Sequence, residues 1–96
     1  MSYASGMSEI HIHVFGKVQG VNFRDNTKKM ADKFGLIGYV QNMDSGAVEI
    51  LAQGPEDKLF KFLEWASKGP AGSQVKEVEY VFRSPFTAYK GFEIRE

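Results

Sequence analysis

Residues 16–24 place two glycines and an arginine between a strand-like and a helix-like segment, a pattern suited to anion binding. The glycines let the backbone turn so that successive N–H groups point into one concavity. That concavity opens at a helix N-terminus, where free amides and the helix dipole favour negative charge. Arg24, in the first helical turn, adds planar donors suited to phosphoryl oxygens. The segment is therefore predicted to bind phosphate through Arg24 and the loop residues Gly16, Lys17, Val18, Gln19, Gly20, Val21 and Asn22.

Each part of this pattern is a weak signal by itself. A glycine loop also fits a tight strand-to-helix turn without a ligand, and Arg24 alone fits a surface position on a helix. The loop is not a nucleotide-binding P-loop, because Gly-Lys-Ser/Thr is missing and Lys17 precedes the second glycine. Nucleotide hydrolysis is therefore disfavoured.

His11 and His13 stand two residues apart on one face of a predicted strand, a spacing that can bind a metal ion. The sequence marks no carboxylate or further histidine that completes a ligand set. Two exposed histidines on the open face of a sheet are therefore the favoured interpretation. We predict no metal site and no cofactor.

The overall composition indicates a small globular domain without a global preference for charged partners. The 96 residues are 43% hydrophobic and 25% charged, and the formal net charge is +0. Neither nucleic acid nor an anionic membrane is an expected partner. Cysteine is absent, which excludes thiol catalysis and disulfides, and no apolar segment is long enough to span a membrane. We expect a cytoplasmic monomer with a flexible leader at 1–8, in which Met7 is an alternative start, and a single domain at 9–96.

Hydrophobic periodicity predicts strands at 9–15, 37–43, 47–53, 75–83 and 92–95, with a turn at 44–46. Apolar residues at helical spacing predict a first helix that follows Asn22, its predicted N-cap, and ends before Gly35. A second helix is predicted to begin at Pro55. The order βαββαβ plus a short terminal strand predicts an α+β, ferredoxin-like split-βαβ sandwich. Both helices are expected on one face of a mainly antiparallel sheet.

Three motifs taken together closely resemble the acylphosphatase family. They are Gly16-x-Val18-Gln19-Gly20-Val21-x-Phe23-Arg24, Gly35-Leu36-x-Gly38-Tyr39-Val40-x-Asn42 and Gly46-x-Val48-Glu49. The similarity continues from Gly54-Pro55 to Tyr89-x-Gly91-Phe92-x-Ile94 and covers residues 9–96. The resemblance implies a ferredoxin-like hydrolase that splits acyl phosphates into a carboxylate and orthophosphate. It also implies that the 16–22 loop and Arg24 hold the phosphate while Asn42 positions the attacking water.

These groups are chemically sufficient for such a reaction. The leaving carboxylate has a pKa of about 4 and departs as an anion, so no general acid is required. Phosphoryl transfer depends mainly on positioning and electrostatics. Asn42 offers a donor and an acceptor without charge. Asp25 would oppose phosphate, but adjacent helical side chains diverge by about 100°, so we expect Asp25 to face away from Arg24.

A non-catalytic domain of the same fold is the competing interpretation. Such a domain would bind phosphate, carbamoyl phosphate or RNA. An RNA-binding sheet presents stacking aromatic residues on its central strands. The outward positions of the third strand, Ala47, Glu49 and Leu51, offer no such platform, and the joint occurrence of Arg24 and Asn42 favours catalysis.

Overall fold

Alternating apolar residues and two amphipathic segments build a two-layer structure in the computed structural model, which describes residues 7–96. The strands are β1 (Ser8–Lys17), β2 (Ile37–Asn42), β3 (Val48–Gly54), β4 (Gln74–Arg83) and β5 (Phe92–Arg95), and the helices are α1 (Phe23–Lys33) and α2 (Glu56–Lys68). The predicted order and the ferredoxin-like α+β fold are confirmed. Residues 1–6 of the predicted leader lie outside the described residues, and β1 already begins at Ser8. Neither helix is long and apolar enough to cross a membrane.

The sheet has the strand order β4-β1-β3-β2-β5. β3 pairs antiparallel with both β1 and β2, so β1 and β2 run in the same direction on its two sides. Val48 in β3 is the partner of Val14 in β1 and of Asn42 in β2. The C-terminal ends of β1 and β2 therefore lie at the same edge of the sheet.

The core lies between the helices and one face of the sheet. The strand residues on this face and the apolar stripes of both helices are fully or almost fully buried: Ile10, Ile12, Val14, Val48, Ile50, Ala52, Phe23, Ala31, Leu59, Phe62, Leu63 and Ala66. Burying each valine, leucine, isoleucine or phenylalanine side chain of this core stabilises the fold by about 1.5–3 kcal/mol. This packing fixes α1, and with it the loop that precedes α1, against the sheet.

The ends of the helices differ in detail from the predictions. Asn22 occupies the N-cap position of α1, but in a left-handed conformation (φ 61°) and without a capping hydrogen bond from its side chain. Pro55 is the N-cap of α2 and not its first residue, because its ψ of 141° is extended. At the other end of α1, Gly35 (φ 71°) and Leu36 donate backbone hydrogen bonds to Asp32 and Ala31, which is a Schellman motif. This motif stops α1 at the predicted glycine.

Gly16 belongs to β1 and not to the loop, which corrects the interpretation of the first glycine as a turn residue. It lies at an irregularity in the β1–β4 pairing, with φ 131°, and a Cβ there would come 2.1 Å from the carbonyl oxygen of Gln74. Gly20 has φ 77°, and a Cβ there would meet no atom within 4 Å. Gly16 is thus required by close packing and Gly20 by backbone conformation alone.

We expect Gly16→Ala to lower the free energy of unfolding by about 3 kcal/mol or more, because the β4 backbone must move away. Gly20→Ala is expected to cost only about 1–2 kcal/mol, the strain of a left-handed alanine. Urea denaturation of both variants measures the difference. Equal losses of stability in the two variants would contradict this account of the glycines.

Candidate active site

The loop after β1, the first turn of α1 and the end of β2 enclose a cavity of about 200 Å³. The strand directions produce this arrangement, because β1 and β2 end at the same edge of the sheet. The cavity is lined by Val18, Gly20, Asn22, Phe23, Arg24, Asp25 and Asn42. Both predicted catalytic side chains and three of the predicted loop residues therefore share one cavity.

The remaining predicted loop residues do not line this cavity. Lys17 ends β1 beside Gly16, and Val21 packs against the hydrophobic core. The side chain of Gln19 donates hydrogen bonds to the carbonyl oxygens of Met43 and Ala47, both at 2.9 Å. Gln19 thus ties the loop to the β2–β3 turn, directly beside Asn42. The sequence analysis missed this positioning role, since nothing local marks a contact between segments so far apart.

The loop backbone alternates in the sign of φ, as anion-binding nests do. Gly20 (φ 77°) and Asn22 (φ 61°) have positive φ, whereas Val21 between them does not. Alternation of this kind turns successive amides toward one side of the chain. The first helical amide bond runs from Asn26 to the carbonyl of Asn22 at 3.1 Å, and among residues 7–96 no backbone group accepts a hydrogen bond from the amides of residues 19–25. Of these amides, those of Gly20 and of residues 22–25 belong to residues that line the cavity, where they are available to a ligand.

The Arg24 guanidinium is held by β5 while part of it stays accessible. Nη1 of Arg24 donates to the carbonyl oxygen of Arg95 at 3.0 Å, and the side chain is 29% exposed. The exposed Glu96 carboxylate lies 3.9 Å from the same nitrogen. Across the described part of the chain, Nε and Nη2 of Arg24 have no hydrogen-bond partner. With one nitrogen anchored and two free, the guanidinium can donate two parallel hydrogen bonds to an anion.

Asp25 was expected to face away from Arg24, but it also lines the cavity, so that orientation does not remove it from the site. The cavity lies at the end of α1 and not along one side of it. Consecutive residues of a first turn can therefore both border it, although their side chains diverge. Asp25 is exposed, so its charge is screened by solvent, but it still opposes an anion in the cavity.

We expect Asp25→Asn to tighten orthophosphate binding by about 2- to 5-fold, the range for an exposed charge interaction. Isothermal titration calorimetry with orthophosphate measures the change. Asp57→Asn is the matched control, because Asp57 is also exposed in the first turn of a helix but lies outside the cavity. Equal binding by wild type and Asp25→Asn would show that Asp25 does not act on the bound anion.

His11 and His13 lie outside this cavity, on the open face of the sheet, and they are partly buried rather than exposed. A carboxylate that the sequence did not mark lies beside them. Nε2 of His11 lies 2.6 Å from Oε2 of Glu49, which is 38 residues away in the chain. Only the β1–β3 register brings these side chains together, so no local sequence signal could have found the pair.

Comparisons with known proteins agree in one family. The acylphosphatase family model matches residues 10–94. An acylphosphatase of Dehalococcoides mccartyi is 46% identical over 83 residues, 85% of this chain and 91% of that protein. An acylphosphatase of Pseudomonas aeruginosa is 40% identical over 86 residues, 90% of this chain and 93% of that protein. The solved structure of an acylphosphatase from Coxiella burnetii superposes with a TM-score of 0.92 at 34% identity, covering 99% of this chain and all of that one.

Proposed function

Since the chain belongs to the acylphosphatase family, we propose that its cavity binds the phosphoryl group of an acyl phosphate and directs a water molecule at the phosphorus atom. The protein is a hydrolase that converts acyl phosphates into a carboxylate and orthophosphate. The observation that carries the mechanism is that Arg24, Asn42 and the loop residues Gly20 and Asn22 border one cavity.

Phosphate binding is assigned to the nest and to Arg24. The free amides of Gly20 and of residues 22–25, at the N-terminal end of α1, supply partial positive charge without a counter-ion. The Arg24 guanidinium supplies a full charge and is held in place by the carbonyl oxygen of Arg95. Donors that are fixed before the substrate arrives need little reorganisation as negative charge shifts in the transition state.

We assign to Asn42 the role of positioning the attacking water. It ends β2 at the edge of the sheet next to the loop, and strand pairing holds its backbone against Val48. Its carboxamide oxygen accepts a hydrogen bond from the water, which orients a lone pair of the water toward phosphorus. Its lack of charge matters, because a carboxylate at this position would repel the phosphoryl group. A phosphoryl oxygen of the substrate takes the proton of the water.

The leaving group needs no proton donor. An acyl phosphate releases a carboxylate, whose conjugate acid has a pKa of about 4, so it departs as a stable anion. The reaction therefore requires only that the phosphoryl group and the water are held in line and that the negative charge of the phosphoryl group is balanced. The two histidines are not needed for this mechanism, and they lie outside the cavity.

Steady-state hydrolysis of benzoyl phosphate in the presence of EDTA tests the proposal. We expect turnover that survives chelation and is inhibited competitively by orthophosphate. RNA titration under the same conditions is the control for the competing non-catalytic interpretation. Saturable RNA binding without turnover would favour that interpretation and overturn the proposed mechanism.

A further inference from the structure

The open face of the sheet carries a second cluster of residues that can do chemistry, outside the cavity described above. His11, His13 and Glu49 each offer one ligand atom, and these atoms lie within 4.8 Å of one another. We propose that this cluster binds a divalent transition-metal ion of the zinc type through two imidazole nitrogens and one carboxylate oxygen. It would be a binding site separate from phosphate hydrolysis.

The positions of the three residues follow from strand geometry. His11 and His13 are two residues apart in β1, so both side chains leave the same face of the sheet. Glu49 in β3 is the direct cross-strand partner of His13 and a diagonal neighbour of His11. β1 and β3 are both interior strands of the sheet. Ladder hydrogen bonds on both sides therefore fix the backbone positions from which the ligands extend.

The Glu49 carboxylate is already oriented for this role. Its Oε1 accepts a hydrogen bond from the side-chain amide of Gln41 in β2, and its Oε2 faces Nε2 of His11 at 2.6 Å. One oxygen is therefore held by a neighbour while the other points toward the imidazole. Partners of this kind fix the ligands of metal sites and raise metal affinity.

Burial and charge also suit a cation. The side chains of His11 and Glu49 are only 21% and 13% exposed. A carboxylate in such a partly desolvated place attracts a divalent ion more strongly than an exposed carboxylate does.

The spacing of the ligand atoms requires only small shifts: Nε2 of His11 and Oε2 of Glu49, which lie 2.6 Å apart, must separate slightly, and the more distant atoms must approach. Zinc bonds of about 2.0–2.2 Å in a tetrahedral arrangement place neighbouring ligand atoms about 3.3 Å apart. Rotation of the side chains brings atoms that are at most 4.8 Å apart to that separation while the backbone stays in place. The ion lies between Nε2 of His11 and the Glu49 carboxylate, in place of the hydrogen bond that joins them, and the neutral ring then carries its proton on Nδ1.

The site has three protein ligands, which is the number found where zinc keeps an open position for water or an external ligand. A surface cavity adjoins it, bordered by both histidines and by Glu79 and Val81 of β4. Imidazole and carboxylate favour zinc and its neighbours in the first transition series over magnesium or calcium, which prefer oxygen ligands alone.

Titration of the full-length, EDTA-treated and desalted protein with Zn²⁺ tests the proposal. We expect one site per chain by calorimetry, and with Co²⁺ in place of zinc a visible absorption band typical of tetrahedral coordination. Glu49→Gln keeps the size of the side chain but removes the anionic ligand, and it is expected to weaken binding about 10- to 100-fold or more. His13→Ala should weaken binding similarly.

The matched control is Glu77→Gln, an exposed carboxylate on β4 that is not part of the cluster. It should bind zinc as the wild type does. Zinc should also raise the melting temperature of the wild type and of Glu77→Gln but not of Glu49→Gln, because only a ligand that binds the folded state shifts unfolding. Benzoyl phosphate hydrolysis should be unchanged in Glu49→Gln, which separates this proposal from the hydrolytic one. Absence of stoichiometric zinc binding, or equal binding by wild type and Glu49→Gln, overturns it.

Discussion

Replacing Arg24 with alanine is expected to lower kcat/KM for benzoyl phosphate by about 10²–10³-fold or more and to abolish orthophosphate binding. The guanidinium supplies the full positive charge among the residues lining the cavity, and donors of this kind typically contribute that much to rate. The amides that remain carry only partial charges. Steady-state kinetics and phosphate calorimetry on the same preparation measure both effects.

Two further variants make the Arg24 experiment specific. Lys29→Ala removes a positive charge from the exposed side of α1, outside the cavity, and should leave the kinetics near those of wild type. Arg24→Lys keeps the charge but loses the planar fork that bonds the Arg95 carbonyl oxygen while facing the ligand. We expect it to recover only part of the activity. Wild-type phosphate binding in a folded Arg24→Ala protein would refute the proposed anion site.

Asn42→Ala is expected to leave orthophosphate affinity within a few-fold of wild type but to lower kcat by about 10²-fold or more. The carboxamide is assigned to the water and not to the phosphate, so its loss affects orientation and not substrate binding. Benzoyl phosphate kinetics give kcat, and calorimetry with orthophosphate gives the affinity. This separation of binding from turnover distinguishes Asn42 from Arg24, whose loss should affect both.

Asn42→Asp is the isosteric partner of this experiment. The aspartate has the same shape but adds a negative charge beside the phosphoryl group, so we expect it to weaken orthophosphate binding as well as turnover. Circular dichroism and thermal unfolding establish that both variants fold, because Asn42 ends β2 in register with Val48. If Asn42→Ala hydrolysed benzoyl phosphate near the wild-type rate, the assignment of the water would be wrong.

Local patterns in the sequence were sufficient to predict the secondary-structure elements and their order along the chain. Strict alternation of apolar residues in β1 and the apolar stripe of α2 each reflect a single buried face, and both faces are buried in the structure. Gly35 marks the end of α1 because a left-handed residue is needed there. The compound motif that contains Arg24 and Asn42 was recognisable as a family pattern, and the family is confirmed.

Local sequence patterns could not predict the details that depend on contacts between distant segments of the chain. Gly16 looked like a turn residue, yet it is required by the approach of the β4 backbone. Gln19 looked like one of several loop residues, but its amide joins the loop to the β2–β3 turn. Asp25 was expected to face away from Arg24, yet it lines the same cavity. Helical spacing alone does not say where a cavity lies relative to the end of a helix.

The sequence by itself determined the secondary structure, the fold class and the family, because these depend on periodicity, on turn residues and on motifs read along the chain. Only the tertiary structure decided which side chains meet. Antiparallel pairing of β1 and β2 with β3 brings Asn42 to the loop that precedes Arg24. The same register sets Glu49 beside His11 across 38 residues. Strand register is fixed by packing of the whole sheet against the helices, and a shift of one residue would turn these side chains to the opposite face.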